Sequence, residues 1–367
     1  MTEDFHKKPF DEGTMVKLRL FENYVAEWLP VFISSAQGKR INIVDFFAGP
    51  GRDVKGVDGS PLIALKQIRK FTFRIRQSSS LLYLLLNEKA TQKAATLRSI
   101  MESQTVDEKL CKCEIEALDF GKAFEKYYPH LLGNANLLFL DQTGVKSISD
   151  DVFVRILELP TTDFIFFIAS SSLRRFADHP YFHRHLKIPK GTISARSFNE
   201  THRVVTDYYR SLVPPGREFY LGSFSIKKGS NLYGIIFGSG HPLGMEKFLR
   251  VCWKLHSIRG EANFDIDSED INARSPHLWK EMDRPKKLDL FERELRQRVL
   301  KKELRTDGDL YLFALRRGFR PSHARHVLNR MLKKSEVAMA EPRVRPRISL
   351  DGYKAPRTLE VLQNGNL

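Results

Sequence analysis

Apolar residues recur every three or four positions between residues 13 and 35, at Met15, Leu18, Leu20, Phe21, Tyr24, Val25 and Trp28, and this spacing predicts a long helix with Pro30 near its end. The pattern then changes period. Ile41 to Phe47 is a short β-branched and aromatic run between Gly38 and Gly49, which reads as a buried strand leading into a glycine turn. Ser60 suits an N-cap and Pro61 the first helical position of a helix reaching about Arg74. Strands at 81–86, 112–117, 136–140 and 163–169 alternate with helices at 90–103, 120–131 and 149–158. Strands separated by helical stretches of this length predict an α/β fold: a Rossmann-like, doubly wound, mostly parallel sheet covered on both faces.

Residues 170–215 mix arginines and histidines with one helical stretch, 200–212, that stops before Pro214-Pro215-Gly216. Phe219 to Ile226 and Leu232 to Gly238 flank a Lys-Lys-Gly-Ser-Asn turn and read as a hairpin closing one edge of the sheet. A helix at about 244–256 and an acidic connector at 257–285 complete a first domain assigned to 1–283. Helices at 288–304, 307–317 and 321–334 predict a basic winged-helix-like module over 284–340, followed by a flexible basic tail at 341–367. In such modules the third helix enters the major groove, and here it carries His323, Arg325 and Arg330.

Charge sharpens this division. The chain of 367 residues has 60 Lys and Arg against 44 Asp and Glu, a formal charge of +16. Residues 284–367 hold 21 of the bases and 10 of the acids, or +11, so the 283 residues before them carry only +5. Segregation of one sign onto one segment points to a polyanion, DNA or RNA, because neutralising backbone phosphates releases counterions. With 28% charged residues and no uninterrupted apolar run near twenty residues, a membrane-spanning helix is excluded, and the polar start Met1 to Pro9 is no signal peptide. A cytoplasmic location without membrane attachment is expected. Cys111, Cys113 and Cys252 are too few and too unevenly placed for a disulfide framework or a zinc site, and arginines beside His179, His183 and His185 oppose a metal there, so none is expected.

The chemistry gathers at strand ends. Asp45 closes the first strand, and Gly49 and Gly51 follow it where backbone without Cβ can approach a nucleoside. Glu88, just past the second strand, is placed to accept ribose hydroxyls. Asp119 after the third is placed to accept from an adenine amine while Phe120 packs on the base, and Asp141 ends the fourth. Each acid alone reads most simply as a helix cap or a surface charge, and four at successive strand ends around one glycine turn form a constellation.

The order of elements and these acids resemble a class I S-adenosylmethionine-dependent methyltransferase. The run Asp45-Phe-Phe-Ala-Gly-Pro-Gly-Arg52 with Gly59-Ser-Pro61, together with Phe-Leu-Asp141, His241-Pro-Leu-Gly244 and Gly318-Phe319-Arg-Pro321, resembles the three-Cys-motif partner proteins (TcmP) over most of the chain. The resemblance implies S-adenosylmethionine as cofactor, held by Asp45, Phe46, Gly49, Gly51, Glu88, Asp119 and Phe120. It implies Asp141 as the residue orienting the acceptor, with Arg52, Arg174 and Arg175 on substrate phosphate. The family has Asp-Pro-aromatic-Gly at Asp141, whereas Gln142 and Thr143 stand here in place of the proline and the aromatic. Amine methylation relies on that ring to stack on an extruded base, so stacking must come from elsewhere, such as Phe46, Phe47 or Phe176. Cytosine carbon-5 methylation is disfavoured, since none of the three cysteines follows a proline. Two readings stay open: a nucleic-acid methyltransferase, and a non-methylating nucleic-acid adaptor that works with a cysteine-motif partner protein.

Overall fold

The computed structural model describes residues 9–35, 39–78, 80–104, 107, 110–141, 149–177, 179–189, 191–195, 197–269, 271, 285–341 and 343–362. They form two compact units, Met1–His241 and Pro242–Leu367. In the first, helix α1 (Glu12–Ser35) precedes β1 (Arg40–Asp45), and α2 (Ser60–Lys70) and α3 (Thr72–Gln77) lead to β2 (Leu81–Asn87). The single helix expected to Arg74 breaks at Phe71. The alternation continues through α4 (Thr91–Ser103), β3 (Lys112–Glu116), α5 (Phe120–Leu131), β4 (Ala135–Asp141), α6 (Asp150–Leu157) and β5 (Thr162–Ile168). Short helices α7 (Ser170–Arg175) and α8 (Pro180–His185) come next, then α9 (Thr201–Leu212) and the hairpin β6 (Tyr220–Lys228) and β7 (Asn231–Ser239).

The seven strands lie in the order β3-β2-β1-β4-β5-β7-β6. The pairs β1–β2, β1–β4, β2–β3 and β4–β5 are parallel, and β7 runs antiparallel between β5 and β6. This is the doubly wound α/β architecture expected from the sequence, with the hairpin at one edge. Ile41, Ile43 and Val44 of β1 and Leu137, Leu138, Phe139 and Leu140 of β4 are fully buried, as central strands sandwiched between helices must be. Topology makes β1 and β4 neighbours, so the winding direction reverses between them. Open α/β sheets take their ligands at such a reversal, in the crevice outside the carboxyl ends of the strands. The core under it is aromatic: Phe46, Phe120, Phe124 and Tyr127 pack together with Val44, Leu138 and Phe166.

The second unit begins earlier than the boundary expected at residue 283. Its first helix, α10 (Pro242–Leu255), carries Trp253, whose ring lies 5.9 Å from Phe319 and 4.4 Å from His323 and whose Nε1 donates to the Gly318 carbonyl at 3.2 Å. Long-range aromatic packing of this kind leaves no mark in a local pattern. Asp265, Asp267 and Glu269 of the expected connector surround a fully buried side chain. Arg259 pairs with Asp265 at 2.5 Å and Glu269 at 3.1 Å. Helices α11 (Lys286–Leu300), α12 (Asp307–Arg316) and α13 (Pro321–Lys333) follow, then β8 (Val337–Met339), α14 (Leu350–Lys354) and β9 (Leu359–Val361). β8 pairs antiparallel with β9, and Thr306 bridges antiparallel to Thr358. Of the residues expected as a flexible tail, 341 and 343–362 are described and folded, held at Asp307 as set out below, and the rest lie outside the described residues. Among the described residues no helix is long and apolar enough to cross a membrane.

Candidate active site

Asp45 and Asp141 end the two strands that meet at the reversal point. Asp45 is buried, its carboxylate accepting from the Phe47 amide at 2.9 Å and from the Ser60 hydroxyl at 2.6 Å. Ser60 therefore serves the strand end and opens α2, whose N-cap falls to Gly59, and Pro61 stands one position later in the first turn than expected. Burial pushes the Asp45 carboxyl up to about 7 against those two hydrogen bonds, helped by the charge of Asp141 and opposed by that of Lys17. Lys17 comes from α1, is buried, and donates its ammonium to Asp141. The same ammonium sits 4.4 Å from the centre of the Phe167 ring. Asp45, Lys17 and Asp141 form a charged set at the crevice.

The glycine turn follows β1 at this end of the sheet and is fixed from three sides. Gly49 and Gly51 adopt φ of 61° and 89°, left-handed backbone that favours glycine, and a Cβ on Gly51 would stand 3.0 Å from Leu97. The Gly49 amide donates to Glu88 Oε2 at 3.1 Å, while Glu88 Oε1 accepts from the Ala90 amide at 2.8 Å. Each carboxylate oxygen keeps a further lone pair, so Glu88 can hold the turn and still accept ligand hydroxyls. Asn87 ties three segments together, since its amide donates to the Phe46 and Leu118 carbonyls and its oxygen accepts from the Leu118 amide. Arg52 closes the loop by pairing with Asp58 at 2.8 Å.

The acids expected at successive strand ends thus stand along one edge of the sheet. Asp119 caps α5 by accepting from the Gly121 amide at 3.1 Å and pairs with Lys89 at 3.3 Å. Phe120 stacks on Phe47, with ring centroids 5.7 Å apart and planes 13° off parallel. Phe46, expected among the ligand-facing residues, is turned into the core against Phe120, Phe124 and Tyr127. The alternation of side chains along an extended segment sends neighbours to opposite faces, so the half-buried Phe47 takes the edge position. Arg174 and Arg175 stand on α7. Arg174 reaches the Ile193 carbonyl at 3.4 Å and lies 5.8 Å from the Phe198 ring centre, while Arg175 is exposed.

His323, Arg325 and Arg330 belong to the second unit. His323 does not face outward: its Nδ1 accepts from the Arg320 amide at 3.2 Å, and burial beside Trp253 drives its pKa down to about 4. Gln142 and Thr143 lie outside the described residues. Among the described residues no group of three or more His, Cys, Asp or Glu could hold a metal ion. Burial pushes the Cys113 thiol up to about 12 and raises Cys111 further, which removes both as nucleophiles near neutrality.

Lys17, Asn87 and the part played by Ser60 escape the sequence pattern. Lys17 lies on a helix face otherwise read as core. The one signal in its favour is a cation inside an apolar stripe, since lysine is almost never fully buried without a partner.

No family model matches the chain, and no curated protein matches it. Among solved structures, similarity extends to a Legionella pneumophila protein of the DUF519 family at 10% identity, over 69% of this chain and 94% of that one, with a TM-score of 0.39. Trm1 from Pyrococcus horikoshii, solved as a complex with S-adenosyl-L-methionine, is 11% identical over 65% of this chain and 59% of its own, with a TM-score of 0.36. The methyltransferase domain of METTL16 is 9% identical over 58% of this chain and 65% of its own, with a TM-score of 0.31. At these scores the likeness carries nothing about chemistry. The strand order defines the fold.

Proposed function

We propose that the first unit binds S-adenosylmethionine at the crevice between β1 and β4 and transfers its methyl group to a nucleic acid. The observation that carries this reading is the glycine turn after β1, pinned to Glu88 after β2 at the reversal point of the sheet. The residues present fit the group. Gly49 and Gly51 offer backbone without Cβ, Glu88 the ribose acceptors, Asp119 an acceptor for the adenine amine, and the edge of the Phe47–Phe120 stack an apolar wall. A buried carboxyl held near 7 beside a second acid also suits a cation, whose charge offsets the cost of ionising Asp45.

The cofactor supplies an electrophilic methyl group on a sulfonium. Asp141, at the carboxyl end of β4, orients the acceptor and takes up the proton that an exocyclic amine loses, and Lys17 holds that carboxylate in place. Backbone amides and the two arginines of α7 would hold substrate phosphate.

The test is radiolabelled methyl transfer over DNA, tRNA, rRNA and protein, with calorimetry against S-adenosylmethionine. Asp141→Ala is expected to lose transfer by about 100-fold or more while keeping cofactor affinity. Absence of cofactor binding, unchanged by Asp45→Ala or Glu88→Ala, would refute the enzyme. One observation favours the second reading: Lys17 already occupies the Asp141 carboxylate. A nucleic-acid adaptor working with a three-cysteine-motif protein needs no free base there, and it predicts nucleic-acid binding that Asp141→Ala leaves intact, without methyl transfer on any polymer.

A further inference from the structure

We infer that the second unit is a reader of double-stranded DNA, with α13 lying in the major groove and the loop between β8 and β9 resting on the adjacent backbone. On α13, Ser322, His326, Asn329 and Lys333 recur at i, i+4, i+7 and i+11 and are all exposed. Such spacing makes one stripe about 16 Å long. The opposite face, Ala324, Val327, Leu328 and Met331, is buried. From Pro321 to Lys333 the helix contains no acidic residue. A polar and basic stripe of this width matches a groove lined by base edges between two phosphate backbones, and serine, asparagine and lysine are side chains that address those edges.

The loop supplies the second contact. Between residues 340 and 358 it carries Arg343, Arg345, Arg347, Lys354 and Arg357 against Glu341 and Asp351. It is fastened at its base rather than left to wander. Asp307, fully buried at the start of α12, accepts from the Arg347 amide at 2.6 Å and from the Arg357 amide at 2.9 Å, and its own amide donates to the Arg357 carbonyl at 3.1 Å. Arg325 leaves the helix face to donate to the Ile348 carbonyl at 3.0 Å, and so ties the loop to α13. Arg343 at the loop's start holds φ of 69°, a left-handed backbone for a residue that ordinarily avoids it. Helix and loop thereby present one preorganised cationic surface. Arg325 is a positioning residue on it, and Arg330, paired with Glu292, faces α11 rather than the stripe.

Two facts select DNA. A helix side chain reads the wide major groove of B-form DNA, whereas that of A-form RNA is deep and too narrow to admit one. Single strands are bound on exposed aromatic platforms, and among the described residues of this unit no aromatic ring is exposed, Phe291 for instance stacking on Phe319 at 4.1 Å. The inference rests on the nucleic-acid half of the proposed function and is independent of methyl transfer.

The experiment is fluorescence anisotropy of the full chain with a labelled 24-base-pair DNA duplex, the matching RNA duplex and the single strands, from 50 to 300 mM salt. Duplex DNA is expected to bind tightest. The double substitution His326→Glu and Lys333→Glu should weaken it by roughly tenfold or more, and Arg343→Ala with Arg345→Ala should lower the slope against salt by about one to two. Lys301→Glu, an exposed charge at the end of α11, should leave both unchanged. Thermal denaturation checks that each variant folds. Equal or tighter binding of the RNA duplex or a single strand, or full duplex affinity in the stripe variant, overturns the inference. Calorimetry with S-adenosylmethionine on the same samples separates the two readings: loss of cofactor binding with duplex binding retained defeats only the proposed function, and the reverse defeats only this one.

Discussion

Asp45 is where charge, burial and binding meet. Burial pushes its carboxyl from the ordinary 3.8 up to about 7, so the fold favours the protonated form. The stability it contributes is complete below about 4 and is lost as pH rises through 7, a difference on the order of 4 kcal/mol at most. Denaturation midpoints measured at pH 5 and pH 8 should show this decline, and Asp45→Asn should flatten it while abolishing cofactor affinity. A cation in the crevice favours the carboxylate, so S-adenosylmethionine should bind about tenfold more tightly at pH 8 than at pH 6 and release a proton on binding near pH 6, measured by calorimetry in two buffers. The acids themselves were legible in the sequence, because each follows an apolar run. Their partners were not: Lys17 lies 124 positions from Asp141, and nothing local marks the pairing.

At the scale of elements, secondary structure followed the hydrophobic period closely wherever an apolar run was bounded by turn residues. The differences arose where a side chain was needed elsewhere. Ser60 left the cap of α2 for Asp45, and Phe71 interrupted a helix that reads as continuous. The loop between β8 and β9 is the largest case. Its prolines and arginines look like a tail, yet Asp307 and a close backbone crossing make it an element. A Cβ on Gly352 would lie 1.6 Å from the Arg347 carbonyl oxygen. Gly352→Ala should therefore open the loop, lower the melting temperature of the second unit by several degrees and reduce duplex affinity, with limited proteolysis reporting new cleavage between residues 343 and 357.

For the whole molecule, the division of charge and the division of structure nearly coincide, but the second is set at His241. A chain cut after residue 283 keeps α10 without Phe319 and His323, the rings that cover Trp253. Cutting after His241 should give the better-behaved fragment, with cofactor affinity retained and the steep salt dependence of polyanion binding removed. Size-exclusion chromatography and anisotropy on the two fragments distinguish the boundaries. Aggregation of the shorter fragment with solubility of the longer would reverse the assignment.

The sequence by itself determined the alternation of strands and helices, the glycine turn, the acids at strand ends and the segregation of positive charge, because each is a local pattern imposed by periodicity, backbone freedom or composition. Only the tertiary structure decided that β1 and β4 are neighbours, that Lys17 pairs with Asp141, that Phe46 turns into the core while Phe47 stays half-buried, and that His323 is half-buried against Trp253 while His326 and Lys333 are displayed. Those outcomes depend on which distant surfaces are desolvated together. Burial and charge pairing are properties of the packed chain, and no window along it contains both partners.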